Sequence, residues 1–189
     1  MAGYIRGTLL SGLIVAFLTF FIALVVSIGS EALVRAVNNT LLAFVLLLLI
    51  ILSGILFDII GTAATAAQLP PFNAKAAKRV FGAAQAVKIT KNASVVANYT
   101  ADVGGDIAGT LSGAVGAGIV YNLTQMFAIQ DLVLTGAAMT SFIAALTVGG
   151  KAIGKSIAIR NANSIIFNVA VLLGWWERLT GLELFRDRR

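Results

Sequence analysis

Residues 41–57 read LLAFVLLLLIILSGILF. No charge and no proline interrupts the run, and it is apolar on every side of any helix it could form. A helix hydrophobic all round is a buried helix or a membrane span. The flanking residues extend it from Thr40 to Ala67. At about 1.5 Å per residue that length exceeds the roughly 30 Å of a bilayer's hydrocarbon core. This one stretch decides the fold class, and the rest of the chain is read outward from it.

The composition agrees. Of 189 residues, 59% are hydrophobic and 12% are charged, whereas soluble domains carry about 25% charged residues. Mean hydropathy is +0.94. The formal charge is +6. In a chain this apolar, that excess belongs to cytoplasmic loops rather than to a nucleic-acid surface. Cysteine and histidine are both absent. Disulfides, thiol nucleophiles, histidine bases and Cys/His zinc sites are thereby excluded, and any bound cation is a hard one held by oxygen. No phosphate loop, nucleophile–base pair or metal-hydrolase signature occurs, so no enzyme activity is expected.

Four spans are expected: Gly7–Ile28, Thr40–Ala67, Ser94–Tyr121 and Leu132–Gly150. Arg6 precedes the first, whose apolar run from Leu9 to Ile28 is longer than the about 7–15 residues of a signal-peptide core. It is therefore expected to be a retained helix. Between spans two and three, Lys75, Lys78, Arg79, Lys88 and Lys91 alternate with Val80, Phe81, Ala84 and Val87. This pattern predicts a basic amphipathic juxtamembrane helix over 73–91, lying on anionic lipid or receiving a cytoplasmic partner. The last apolar stretch, Ile165–Trp176, is short for a span. With Trp175, Trp176 and Arg178 it reads as an interfacial helix.

The expected fold is thus an all-α integral membrane protein, with about four transmembrane helices, a basic juxtamembrane helix and a C-terminal interfacial helix. Every basic residue except Arg35 falls on the side of the termini and the middle loop. By the positive-inside rule both termini are cytoplasmic, and a prokaryotic inner membrane is the expected location.

Three acids interrupt the apolar segments: Asp58, Asp102 and Asp106. A carboxylate within a bilayer is expensive and marks function or an internal ion pair. Asp58 lies roughly 27 Å beyond Thr40, and Asp106 about 18 Å beyond Ser94, counted at about 1.5 Å per residue. Both depths fall in the cytoplasmic half, where the two acids can meet. Asp102 and Asp106 are four apart, the spacing of one helical face. Gly105, Gly109 and Gly113 form a small-xxx-small series suited to close helix packing or a homodimer seam.

Three further stretches, in order, resemble the transmembrane domain of the CNNM/CorC (cyclin M) family. FDIIGTAATAA (57–67) is similar to the family's first motif, keeping Thr62, Ala63 and Thr65. NASVVANYTADVGGDIAG (92–109) resembles the middle helix, with Gly105–Asp106 near its Gly-Asn. VGGKAIGKSIAIRN (148–161) resembles the last motif through Gly150, Lys155, Arg160 and Asn161. On this resemblance, residues 40–180 form the family-like domain, 1–39 an extra helix with its external loop, and 181–189 a basic cytoplasmic tail. No regulatory CBS pair follows, which implies a stand-alone form without nucleotide-coupled control.

The resemblance implies a dimeric transporter of Mg2+ or Co2+. Asp58, Thr62 and Asp106 would hold the ion, with backbone carbonyls near Gly149–Gly150 completing the shell. Departures from the family pattern concentrate at the site. Asp58 and Ile60 replace two serines, Gly61 a glutamate, Asp106 an asparagine, Lys151 a glutamate and Gly154 a proline. Lys151 opens the alternative: a non-transporting scaffold or complex subunit, in which its ammonium replaces the metal as counter-ion to Asp58 or Asp106. A further variant keeps transport but exchanges a proton or Na+.

Overall fold

The computed structural model describes residues 12–14, 16–29, 39–127 and 131–182. All elements among them are helical. Helix α1 spans Gly12–Gly29, α2 Thr40–Ala66, α3 Leu69–Ala77, α4 Ala83–Lys91 and α5 Ala93–Ala97. A π-helix follows at Asn98–Gly104 and runs directly into α6, Gly105–Phe127. Helices α7, Leu132–Arg160, and α8, Ala162–Thr180, complete the chain. Among the described residues, four helices are long and apolar enough to cross a membrane: α1, α2, α7 and the continuous rod Ala93–Phe127.

Local chemistry sets the helix ends. Asn39 Oδ1 accepts the Leu41 N–H at 2.9 Å, capping α2. Past its other end, the Gln68 N–H donates to Asn163 Oδ1 at 2.8 Å, and Pro70 and Pro71 open α3, where a missing N–H is tolerated. Asp131 accepts the Leu134 N–H at 2.9 Å and starts α7.

Two expectations about segments are corrected. The fourth span does not stop at Gly150; α7 runs 29 residues to Arg160, so Lys151 and Lys155 lie within it. The basic segment 73–91 is two helices, not one. The chain turns between them with Arg79 at φ 56° and Gly82 at φ 82°. Glycine is required at 82 on two counts. Its φ is left-handed, and a Cβ there would stand 2.7 Å from Val171 Cγ2. The buried face of α4 carries Ala83, Ala86 and Ile89, while Val80, Phe81 and Ala84, which the single-helix reading placed on the apolar stripe, are exposed.

The chain divides into two compact units, Met1–Leu52 with Ile107–Leu146, and Ser53–Asp106 with Thr147–Arg189. In the first, Ala43, Leu47 and Ile51 recur every four residues on the buried face of α2. Ile119 and Val115 of α6 are buried, and Gly116 admits Ile143 of α7. The α1 window has no buried residues.

In the second unit the core is Phe72, Ile89, Val96 and Ile166 with Ala63, Ala64, Ala86, Ala158, Ala162 and Ala170. Alanine at these positions lets helices approach closely. Ala162, Ile166, Ala170 and Gly174 form the buried stripe of α8, and α8 packs on α4. The seam is reinforced by an edge-on contact of Phe81 with Trp175, centroids 5.8 Å apart, and by a hydrogen bond from Gln85 Nε2 to Glu177 Oε2 of 2.8 Å. The Lys75 ammonium lies 3.7 Å from the centroid of the Phe167 ring.

Candidate functional site: a buried carboxylate beside a π-helix

The second unit contains Asp58, Asp102, Asp106 and Lys151. Asp58 is on α2 and only 6% exposed. It shares a face with Gly54 and Gly61, four residues before and three after. Both glycines meet the rod Ala93–Phe127. A Cβ at Gly61 would stand 2.7 Å from Ala101 Cβ and 2.9 Å from Thr100 Oγ1. A Cβ at Gly104 would touch the Phe57 ring at 3.0 Å, and one at Gly105 would lie 3.7 Å from the Gly54 carbonyl. These contacts run antiparallel, and they set Asp58 at the height of the π-helix. On its other flank α2 packs alongside α7, with Ile55 against Gly150 and Ile59 against Gly154.

Asp58 Oδ2 is buried and has no hydrogen-bond partner. Buried polar atoms are overwhelmingly paired, and a carboxylate in an apolar setting needs a proton or a cation to offset its lost hydration. The π-helix beside it is itself a departure from the α ladder, of a kind found often at functional sites. Thr100 returns its hydroxyl to the Val96 carbonyl at 2.8 Å within that segment. Thr62, one turn past Asp58, is half-buried.

Lys151 reaches Asp106. Its Nζ is 4.0 Å from Asp106 Oδ1, the lysine side chain being 23% and the aspartate 78% exposed. Asp106 is therefore a rim carboxylate, unlike Asp58. Asp102 is exposed as well. It belongs to the π-helix, whereas Asp106 lies past the junction at Gly104–Gly105. Their four-residue spacing passes through a wider turn and is not the α-helical face expected for it. Among the described residues no three acidic side chains converge.

Gly149 and Gly150 lie inside regular α7. Their carbonyls face the helix's own i+4 amides, so the expected loosened backbone is absent and Gly150 serves as the seat for Ile55. Of the glycine series, Gly105 has close neighbours. A Cβ at Gly109 or Gly113 would meet nothing within 4 Å among the described residues.

Two features had no counterpart in the sequence reading. One is the π-helix, for which the Gly104–Gly105 pair is the only local signal. The other is Thr147, whose Oγ1 is buried without a partner. Thr147 precedes Lys151 by one turn, on the same face of α7.

These features define an all-α protein with the apolar helices of a membrane protein and a buried, unpartnered carboxylate in one of them. No protein-family model, curated protein or solved structure matches the chain.

Proposed function

We propose that the protein is a membrane transporter of divalent cations, in which Asp58 is the binding carboxylate. The observation that carries this reading is the Asp58 oxygen buried without a hydrogen-bond partner on an apolar helix. Asp58 and Thr62 stand one turn apart and offer oxygen to a hard cation. Mg2+ is commonly held by one or two carboxylates with water in its remaining positions. Asp106 stands at the rim, beside the Lys151 ammonium. The resemblance to the CNNM/CorC family supplies Mg2+ and Co2+ as the cations to try first.

The proposed topology has α1, α2, the rod Ala93–Phe127 and α7 as spans. The basic α3–α4 pair is juxtamembrane, α8 is interfacial, and both termini are cytoplasmic. Lys75, Lys78, Arg79, Lys88 and Lys91 then share one side of the membrane with Lys155, Arg160 and Arg178. The open faces at Gly109 and Gly113 suit close approach of a second copy, as in small-xxx-small dimers.

A second reading, the non-transporting scaffold, is favoured by the 4.0 Å approach of Lys151 to Asp106. Flux separates the two. Purified protein in proteoliposomes is expected to move Mg2+ or Co2+, and Asp58→Asn to stop it. Wild-type vesicles that remain as tight as protein-free ones support the scaffold instead.

A further inference from the structure

Asp58, Asp106 and Lys151 lie on the same unit, and of the two acids Asp106 has the ammonium beside it. We propose that Lys151 is a tethered cation that exchanges between Asp106 and Asp58, so that a diffusible cation gains Asp58 only while Asp106 holds the lysine. The inference rests on Asp58 being the cation-binding carboxylate.

Three observations carry it. First, the resting place of the ammonium is next to the path. A Cβ built on Gly105 would lie 3.4 Å from Lys151 Nζ and 3.7 Å from the Gly54 carbonyl, so the ammonium stands where the start of α6 passes the Gly54 turn of α2. Gly54 precedes Asp58 by four residues, which is one turn or about 6 Å along the same face. Second, neither Gly54 nor Gly105 puts a side chain between the two positions. A Cβ at 105 would come into contact with the ammonium, at 3.4 Å. Third, the two carboxylates differ in setting. Asp106 is largely exposed and Asp58 is buried. A lysine on a flexible four-carbon stem, with three donors, can serve either.

The electrostatics then run in one direction. With Asp58 ionised and no cation bound, a buried unpartnered carboxylate attracts the nearest ammonium, which swings one turn toward it. A cation at Asp58 repels Lys151 and holds it on Asp106, and the structure shows the lysine in that position with the Asp58 oxygen left open. Asp106 is then a holding group for the lysine rather than a ligand of the cation.

The test is Mg2+ titration by calorimetry on the full chain in nanodiscs. Lys151→Met removes the competitor and keeps the apolar stem. Binding should tighten by about tenfold or more, since a unit positive charge close to a divalent cation opposes it even at an effective dielectric near 20. Asp106→Asn releases Lys151 toward Asp58, and binding should weaken. The double variant should bind as tightly as Lys151→Met alone. Unchanged binding in Asp106→Asn overturns the exchange. A double variant as weak as Asp106→Asn overturns it too, and makes Asp106 a ligand.

If the wild type binds no Mg2+, the transport reading fails, and thermal unfolding without cation decides the exchange by itself. Coupling between Asp58→Asn and Lys151→Met should be larger in the Asp106→Asn background than in the parent. Equal coupling in both backgrounds contradicts a lysine that moves between the two acids.

Discussion

The Lys151 ammonium stands 4.0 Å from the Asp106 carboxylate, while Asp58, on the same unit, keeps a buried oxygen with no hydrogen-bond partner. The cation that the chain itself provides is thus placed on the exposed acid and not on the buried one. That distribution is the reverse of what stability alone would select, since an uncompensated charge is most costly where it is most buried. It is the distribution expected where the buried carboxylate is reserved for something that comes and goes.

Asp58→Asn should abolish stabilisation of the protein by a cation. Mg2+ should raise the unfolding temperature of the wild type by a few degrees, since about 1 kcal/mol shifts a chain of this size by roughly 2–4 °C, and leave that of the variant unmoved, because a ligand stabilises only the state that binds it. Differential scanning fluorimetry reads both, and equal shifts in the two proteins would count against a cation site on Asp58.

The close approach of α2 to the π-helix depends on Gly61. Gly61→Ala places a Cβ 2.7 Å from Ala101 Cβ and should destabilise by about 1–3 kcal/mol, the range for overpacking. Gly109→Ala and Gly113→Ala, with open space around them, should leave unfolding of the single chain unchanged. Thermal melts in detergent compare the three.

Those same open glycines carry the dimer prediction. Gly109→Leu and Gly113→Leu should shift the protein toward monomer in mild detergent, read by light scattering or cross-linking, if a second copy packs there. Unaltered mass in both variants would place the dimer seam elsewhere.

At the α4–α8 seam, Gly82→Ala combines a left-handed backbone with a clash on Val171. A loss of about 1–3 kcal/mol is expected, the scale for a strained non-glycine residue. The chain's two tryptophans both lie on α8, and Trp175 packs on Phe81. Intrinsic fluorescence therefore reports the loosening directly, and an unchanged emission and melt would show that the turn relaxes without strain.

The parts of this architecture that are written in apolar length were legible beforehand. The run 41–57 predicts α2, and the structure ends that helix one residue from the expected boundary. Apolar length is blind to what happens within a helix. Beyond the Gly104–Gly105 pair, nothing in NYTADVG announces the π-helix over 98–104, which lies against Gly61 and Phe57 of α2. The basic run 73–91 has one helical period, yet Gly82 breaks it because α8 comes close at Val171.

The site was legible in part for the same reason. Charge in an apolar segment marked Asp58, Asp102 and Asp106, since membrane acids stand out in any reading, whereas Lys151 was marked by the family resemblance. Their partnering could not be read from depth. Counting residues set Asp58 and Asp106 at similar heights, but only the packing makes one buried and the other a rim residue. Thr147 was invisible because an apolar helix tolerates threonine, which ordinarily returns its hydroxyl to the preceding turn, as Thr140 does. Gly149–Gly150 misled in the opposite sense. A glycine pair suggests loosened backbone, but here Gly150 makes room for Ile55 inside a regular helix.

Calorimetric titration of Mg2+ into purified wild-type protein and Asp58→Asn, side by side in nanodiscs, tests the central claim most directly. Saturable binding in the wild type that disappears in the variant is the result predicted. Binding of equal strength in both would contradict a cation site built on Asp58.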